Sequence, residues 1–213
     1  MIVQTLSVAE RNFFELAVTT YQSQLAADIA GQVYLKTRGL TPETAARFRL
    51  GVVTSPLAGD EQYRGRLAIP YLTPSGVVNI RYRCLQQHDC EGHAKYLSRE
   101  GAGTNLYNVL DLKRDSPFIC VAEGEIDTMS LSLAGLPAVG VPGVKTWQKH
   151  FSRCLEDYDV IYAFGDGDDA GGKFSAFLAR EAKARPIRMP SGEDCNSLLM
   201  KGGAGALQRL LQD

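Results

Sequence analysis

Hydrophobic and polar positions along this chain follow two rhythms. In the first hundred residues, apolar positions recur at helical spacing through Phe13, Leu16, Leu25 and Ile29, which predicts an opening amphipathic helix. The stretch RGLTPETAARFRLGVV (38–53) then carries the signs of a short helix. Thr41 is the natural N-cap, Pro42 fits the first helical position, Glu43 suits the positive end and Gly51 can stop it. Two strand-like runs, RLAIPYL (66–72) and VVNIRYRCL (77–85), flank the turn signal Thr73-Pro74-Ser75-Gly76. In the second run Val78, Ile80 and Tyr82 alternate with Asn79, Arg81 and Arg83, so one apolar and one basic face are expected on a half-buried antiparallel strand.

From Ser116 the rhythm changes. Short apolar runs, FICVA (118–122), AVGV (138–141), DVIYAF (159–164) and PIRM (186–189), alternate with helical stretches. Those stretches carry Ile126, Met129 and Leu133, then TWQKHFSRCLEDY (146–158), then Phe174, Phe177 and Leu178, and last the tail GALQRLL (205–211). Strands alternating with helices predict an α/β fold, a parallel sheet with flanking helices. The change of rhythm divides the chain into an α+β subdomain over 1–115 and a parallel α/β domain over 116–213.

Composition narrows the partners. At 213 residues with a formal net charge of −1, no global basic field draws a polyanion, so any such partner must meet a local patch. One exists: Arg64, Arg66, Arg81, Arg83, Lys95 and Arg99 face only Asp89 and Glu91 within that span. The start, MIVQTLSVAERNFFEL, lacks the basic and apolar regions of a signal peptide, and no stretch reaches the apolar length that spans a bilayer. Five cysteines at scattered spacings predict reduced thiols and a cytoplasmic setting.

Ligands of open parallel sheets gather beyond the carboxyl ends of the strands, and three such ends carry acids. Glu123 follows FICVA, Asp166 and Asp168 follow DVIYAF, and Glu193 and Asp194 follow PIRMP. Two carboxylates 4 Å apart repel by about 1 kcal/mol in water and about 4 kcal/mol at an intermediate dielectric. A converging set therefore expects a cation or raised pKa values. All-oxygen donors select hard ions, Mg²⁺ or Mn²⁺, and such sites carry phosphoryl or nucleotidyl transfer. Asp and Gly after a strand are also ordinary turn formers; the specificity lies in the joint order of three acidic strand ends.

Two other motifs overlap AFGDGDDAGGKF (163–174) and fail on their chemistry. Gly167 to Lys173 has P-loop spacing, but Phe174 stands where Ser or Thr must hold Mg²⁺, and Asp168 and Asp169 would repel an anion. Asp166 to Gly171 begins like a calcium loop, but Ala170 and Phe177 occupy ligand positions.

The order E-G, D-G-D, G-E-D-x-N resembles the Toprim domain shared by bacterial-type (DnaG-type) primases, topoisomerases and some nucleases. YLKTRGLTPETAARFRLGVV, RGRLAIPYLTPSGVVNIRYRCL and KYLSREGAGTNLYNVLDL resemble the primase RNA-polymerase core that precedes that domain. The resemblance implies a Rossmann-like Toprim domain after an α+β subdomain, and a DNA primase that makes short RNA primers on single-stranded DNA. It further implies Glu123, Asp166 and Asp168 as catalytic, those three with Asp194 as metal ligands, and Mg²⁺ or Mn²⁺ as cofactor. Asn196 stands where primases often have a second Asp. Arg38, Arg83, Lys95 and Tyr96 match positions expected to hold template or nucleotide. Arg38 and Arg83 read equally as a solvated face, whereas a cation beside an aromatic, as in Lys95-Tyr96, fits single-strand binding.

Primases carry an N-terminal zinc module and a C-terminal helicase-binding domain. No CxxC pair is present and the sequence given ends soon after the Toprim match, as in small phage-encoded relatives. The implied partners are the template, ribonucleoside triphosphates, a replicative helicase and a separate zinc-binding module; no membrane is expected. A Toprim-type metal-dependent nuclease and a non-catalytic nucleic-acid-binding replication accessory stay open as alternatives. Cys84, His88, Cys90 and His93 form C-x3-H-x-C-x2-H, which is not finger spacing, so a polar hairpin loop without zinc is the expectation there.

Overall fold

Asp28 divides the opening helix in two. Helix α1 (Val8–Leu25) starts at a capping box between Ser7 and Glu10, and α2 (Ile29–Thr37) starts where the Asp28 carboxylate accepts the Gly31 N–H. The residues α1 buries are Phe14, Ala17, Val18, Tyr21 and Leu25. Leu16 and Ile29, assigned to the buried face by spacing, are exposed, because the break lets each helix choose its own face. The computed structural model describes residues 6–86, 90 and 92–212. The chain divides into two units, Met1–Gly103 and Thr104–Asp213.

In the first unit, α3 (Pro42–Arg47) begins at the Thr41 N-cap and leads into an antiparallel sheet. Its strands β1 (Gly51–Val52), β2 (Arg66–Thr73), β3 (Gly76–Cys84) and β4 (Tyr96–Ser98) lie in that order. Gly51 does not end α3. Arg49 makes the left-handed turn at φ 51°, while a Cβ on Gly51 would sit 2.4 Å from the Tyr21 carbonyl carbon. The glycine is needed for the close approach of β1 to α1.

A bulge shifts the register between Tyr71↔Asn79 and Leu72↔Val77, leaving Val78 without an opposite residue. Val77 takes the core place that strict alternation gives Val78. The basic face of β3 is not simply solvated either, since Asn79 and Arg83 are buried.

The same unit holds a buried polar knot. Asp60, fully buried, accepts hydrogen bonds from Tyr21 (2.6 Å) and Tyr82 (3.2 Å) and pairs with Arg99. Tyr63 stacks on Tyr82 with centroids 3.8 Å apart, and Arg99 lies over Phe13 at 4.2 Å. Burial first, and then the Asp60 carboxylate, push both the Tyr21 and Tyr82 phenols up, so they remain donors.

The second unit is built on four parallel strands, β5 (Phe118–Ala122), β6 (Ala138–Gly140), β7 (Val160–Phe164) and β8 (Arg185–Pro186), in the order β6-β5-β7-β8. Its helices are α4 (Glu125–Leu133), α5 (Lys149–Arg153), α6 (Asp169–Glu181) and α7 (Cys195–Arg209). Ile119 and Val121 pack with Phe151 of α5 and with Phe174 and Leu178 of α6. Cys120 and Ala122 pack with Leu131 of α4 and with Cys195 and Leu207 of α7. Successive strand residues point to opposite faces and both faces are covered, which is why FICVA reads as an unbroken apolar run. Residues 104–115, grouped with the first half by their rhythm, fall in this unit. Tyr107 bridges Gly140, and the buried Asp111 accepts from the Ala138 N–H (3.1 Å) and Ser132 (2.7 Å). The stretch 146–158 is helical only over α5. No described helix is long and apolar enough to cross a membrane.

Candidate active site

Strand β5 is followed in sequence by β6 on one side, while β7 pairs on its other side. The chain therefore reverses its direction of travel across the sheet between β5 and β7, where open α/β sheets leave a crevice at the strand carboxyl ends. Ala122 pairs with Phe164 as the last register partner of the two strands. Glu123 and the turn Gly165-Asp166-Gly167-Asp168 therefore leave adjacent strands side by side.

The turn depends on missing side chains. A Cβ on Gly165 would lie 2.1 Å from the Gly171 carbonyl oxygen, one on Gly167 1.9 Å from the Pro190 carbonyl oxygen, and one on Gly171 2.1 Å from the Asp166 carbonyl oxygen. Gly167 donates to the Glu193 carbonyl (2.7 Å) and accepts from Gly192 (2.9 Å), which ties this turn to the 190–193 loop. Gly172 has open space around it, so of this adjacent pair only Gly171 makes the close contact. Phe174 is fully buried in the core under the sheet.

Each acid has a definite setting. Glu123 and Asp166 are half-buried and Asp168 is exposed. Burial pushes the Glu123 carboxyl above its ordinary range, and the charges of Asp166 and Asp168 push it further. The Asp168 carboxylate caps α6 by accepting the Gly171 N–H (2.8 Å), and Asp194 caps α7 by accepting the Ser197 N–H (2.6 Å). Cys195 beside them is fully buried, and burial, with Asp127, Asp166 and Asp194 among the surrounding groups, holds its thiol well above the usual range. Glu193 turns to Lys201 and Ser197, whose hydrogen bonds lower its carboxyl. Asn196 is buried and links two helices: its N–H donates to Asp127 (3.2 Å) and its side-chain amide to Ser130 (3.0 Å).

Two residues near these acids escaped the reading of the sequence. Asp127, one turn after Glu123, receives the Asn196 amide. Arg188 lines the same open cleft as Asp168 and Asp169. The E-G-E-I-D spacing could have pointed to Asp127; no sequence signal separates Arg188 from a surface arginine.

The donors suit a hard divalent cation. They are carboxylate oxygens, and their mutual repulsion already raises Glu123. Among the described residues the acids do not form a trio with ligand atoms mutually within 4.8 Å.

Asp168 caps α6, and a substitution can separate that cap from its charge. Asp168→Asn keeps an N-cap oxygen and removes the charge, whereas Asp168→Ala also removes the cap, worth about 1 kcal/mol. Thermal melts in chelator should show Asn at or above wild type and Ala below it. Divalent-metal binding by calorimetry should weaken in both.

The basic face in the first unit is a ladder of alternating guanidinium and phenol groups. Arg38 lies over Tyr34 (5.6 Å), Arg83 over Tyr34 (5.5 Å) and Tyr96 (5.0 Å), and Arg81 over Tyr96 (4.4 Å). Arg83 also donates to the Tyr96 hydroxyl, its partner across the strand pair. Lys95 is exposed. Of the four residues flagged here, Arg38, Arg83 and Tyr96 share this ladder, and Lys95 precedes Tyr96 at its open side. Of the Cys/His motif, Cys84, Cys90 and His93 come together, and His88 lies outside the described residues.

The chain is similar to known proteins. A Toprim-like family model matches residues 120–199. The Gene 57 protein of Mycobacterium phage D29 is 41% identical over 151 residues, covering 68% of this chain and 97% of that one. The DNA primase of Pasteurella multocida is 24% identical over 249 aligned residues, covering 95% of this chain but 43% of its own length. The chain thus spans less than half of that bacterial relative. A DnaG primase catalytic domain bound to single-stranded DNA superposes with a TM-score of 0.76 at 22% identity, covering 95% of this chain and 77% of that one, a shared fold.

Proposed function

Because this chain belongs to the DnaG-type primase family, with a Toprim domain in its second unit, we propose that it is a primase catalytic core that joins ribonucleotides on single-stranded DNA. The observation that carries this reading is the set of acids at the reversal point of the parallel sheet, with Glu123 raised by burial and further by the charges of Asp166 and Asp168. A site built only to bind a polyanion does not gather carboxylates against it. When bound, Mg²⁺ or Mn²⁺ lowers the pKa of the attacking hydroxyl and neutralises charge on the transferring phosphoryl group.

Asp166 and Asp168 would hold the cation, with Asp168 fixed by its bond to Gly171. Glu123, half-buried and raised, accepts the proton of the primer 3′-hydroxyl at a carboxylate oxygen. Asp194 completes the acidic rim at the start of α7, and Arg188 offers a positive group to nucleotide phosphates. The Arg–Tyr ladder with Lys95 holds the template through phosphate contacts and base stacking, an interaction that weakens with salt. A replicative helicase and a separate zinc-binding module are the partners that choose where synthesis starts.

The test is to incubate the protein with single-stranded DNA, labelled ribonucleotides and Mg²⁺ or Mn²⁺. Short RNA products support the proposal. DNA cleavage in their place identifies a nuclease, and binding without either reaction, with helicase and zinc module added, identifies an accessory.

Glu123 also yields a stability prediction. Its folded-state pKa lies above the unfolded value, so the protonated form is favoured on folding. That contribution is full below the unfolded pKa and is lost as pH rises through the folded pKa. At neutral pH the charged Glu123 therefore opposes folding when no cation is bound. In chelator, Glu123→Gln should melt higher than wild type, and added Mg²⁺ should raise the wild type more than the variant. Equal melting points in both buffers contradict the repulsion assigned here.

A further inference from the structure

Cys84, Cys90 and His93 belong to the other unit, and the proposed chemistry does not use them. Cys84 ends β3, and its N–H donates to the Lys95 carbonyl (2.9 Å). Strand pairing thus brings the two ends of the intervening connection together. Cys84 Sγ lies 3.1 Å from His93 Nε2, and the ligand atoms of all three residues lie within 4.8 Å of one another. Tetrahedral zinc places two sulfurs about 3.8 Å apart and a sulfur and a nitrogen about 3.6 Å apart, so only small side-chain movements close the set. Cys84 is buried, Cys90 half-buried and His93 exposed, which leaves an entry path from solvent. No disulfide consumes either thiol.

We propose that Cys84, Cys90 and His93 bind one zinc ion, a clip that fixes the β3–β4 connection beside the Arg–Tyr ladder. Two sulfurs and an imidazole nitrogen select a borderline-soft ion over Mg²⁺. On binding, each thiol gives its proton to solvent and the imidazole donates its free lone pair. The product is a neutral bis-thiolate zinc centre and two released protons. Burial and the neighbouring Cys84 raise the Cys90 thiol in the metal-free protein, an opposition that coordination relieves. The clip braces Lys95 and Tyr96, which follow His93 within three residues, together with Arg66, whose guanidinium donates to the Ala94 carbonyl (2.9 Å). The spacing argued against a zinc finger; strand pairing, not spacing, assembles this set.

The experiment uses the full chain, purified without chelator or histidine tag, with zinc measured by mass spectrometry. About one zinc per chain is expected in wild type and in Cys154→Ser, a control at an exposed cysteine outside the set. The double variant Cys90→Ser/His93→Ala leaves buried Cys84 in place and should hold at least about tenfold less. Cobalt added to the metal-free wild type should produce a near-ultraviolet thiolate-to-cobalt band that the double variant lacks. Circular dichroism establishes that both variants are folded. A zinc-free wild type with no cobalt band, full zinc in the double variant, or a Cys84–Cys90 disulfide in the intact mass overturns the proposal. None of these outcomes bears on primer synthesis, so the two proposals fail separately.

Discussion

On the proposed function, Asp166→Ala is expected to reduce primer synthesis at least about a thousandfold, equivalent to about 4 kcal/mol of transition-state stabilisation, while the fold survives. The two halves of this expectation have separate causes. Asp166 is half-buried at the carboxyl end of β7, and its carboxylate is one source of the charge that raises Glu123. Under the proposed function, removing it would take away an oxygen donor to the metal and let Glu123 relax toward its ordinary range, so both metal affinity and the basicity of the proton acceptor would fall. The backbone of Asp166, against which Gly171 packs, is unchanged. Single-turnover primer extension, with the melting point in chelator as the folding check, measures the two halves. An Asp166→Ala protein that extends primers within tenfold of wild type rules out the metal role of this residue.

Arg99→Met costs about 3 kcal/mol of stability in the first unit and moves no residue of the acid cluster. Asp60 has no exposure to water and relies on Arg99, Tyr21 and Tyr82. Removing one partner of a buried ion pair costs about 3–5 kcal/mol, because the other charge is left uncompensated. Arg99 is itself 26% exposed, so water partly replaces it and the low end of that range applies. The larger part of the loss is the stranded carboxylate. Adding Asp60→Asn to Arg99→Met should therefore recover about 1 kcal/mol or more, the sign of a coupled pair. Urea unfolding of the single and double variants checks this. A double variant that is simply less stable than Arg99→Met contradicts the account.

Asp60 and Arg99 lie thirty-nine residues apart, in a polar stretch and at a strand end. No periodicity announces that they meet, since a charge pair has no sequence rhythm. The acids of the second unit are the opposite case. Glu123 and Asp166 come just after the apolar runs that form β5 and β7, so their places at those strand ends were legible in the chain, whereas PIRM (186–189), read as a strand, is one only at Arg185–Pro186, and Asp194 is placed by its cap on α7. Even so, the sequence said nothing of Asp168 and Asp194 as helix caps, because capping depends on where the next helix begins.

What the sequence by itself determined here is local and periodic. Three of the four parallel strands follow from short apolar runs, while the fourth, expected over 186–189, forms only at Arg185–Pro186; the Thr41 cap follows from its neighbours Pro42 and Glu43, and the rejection of a phosphate cradle from the negative charge of its own residues. Tertiary structure decided whatever depends on which surfaces meet. It set the division of the first helix at Asp28, the bulge at Val78, the boundary after Gly103, the burial of Arg83 between two tyrosines, and the meeting of Cys84 with Cys90 and His93. A side chain's alternation is written in its neighbours, but its partners across a sheet are chosen by register and packing, and those exist only once the chain has folded.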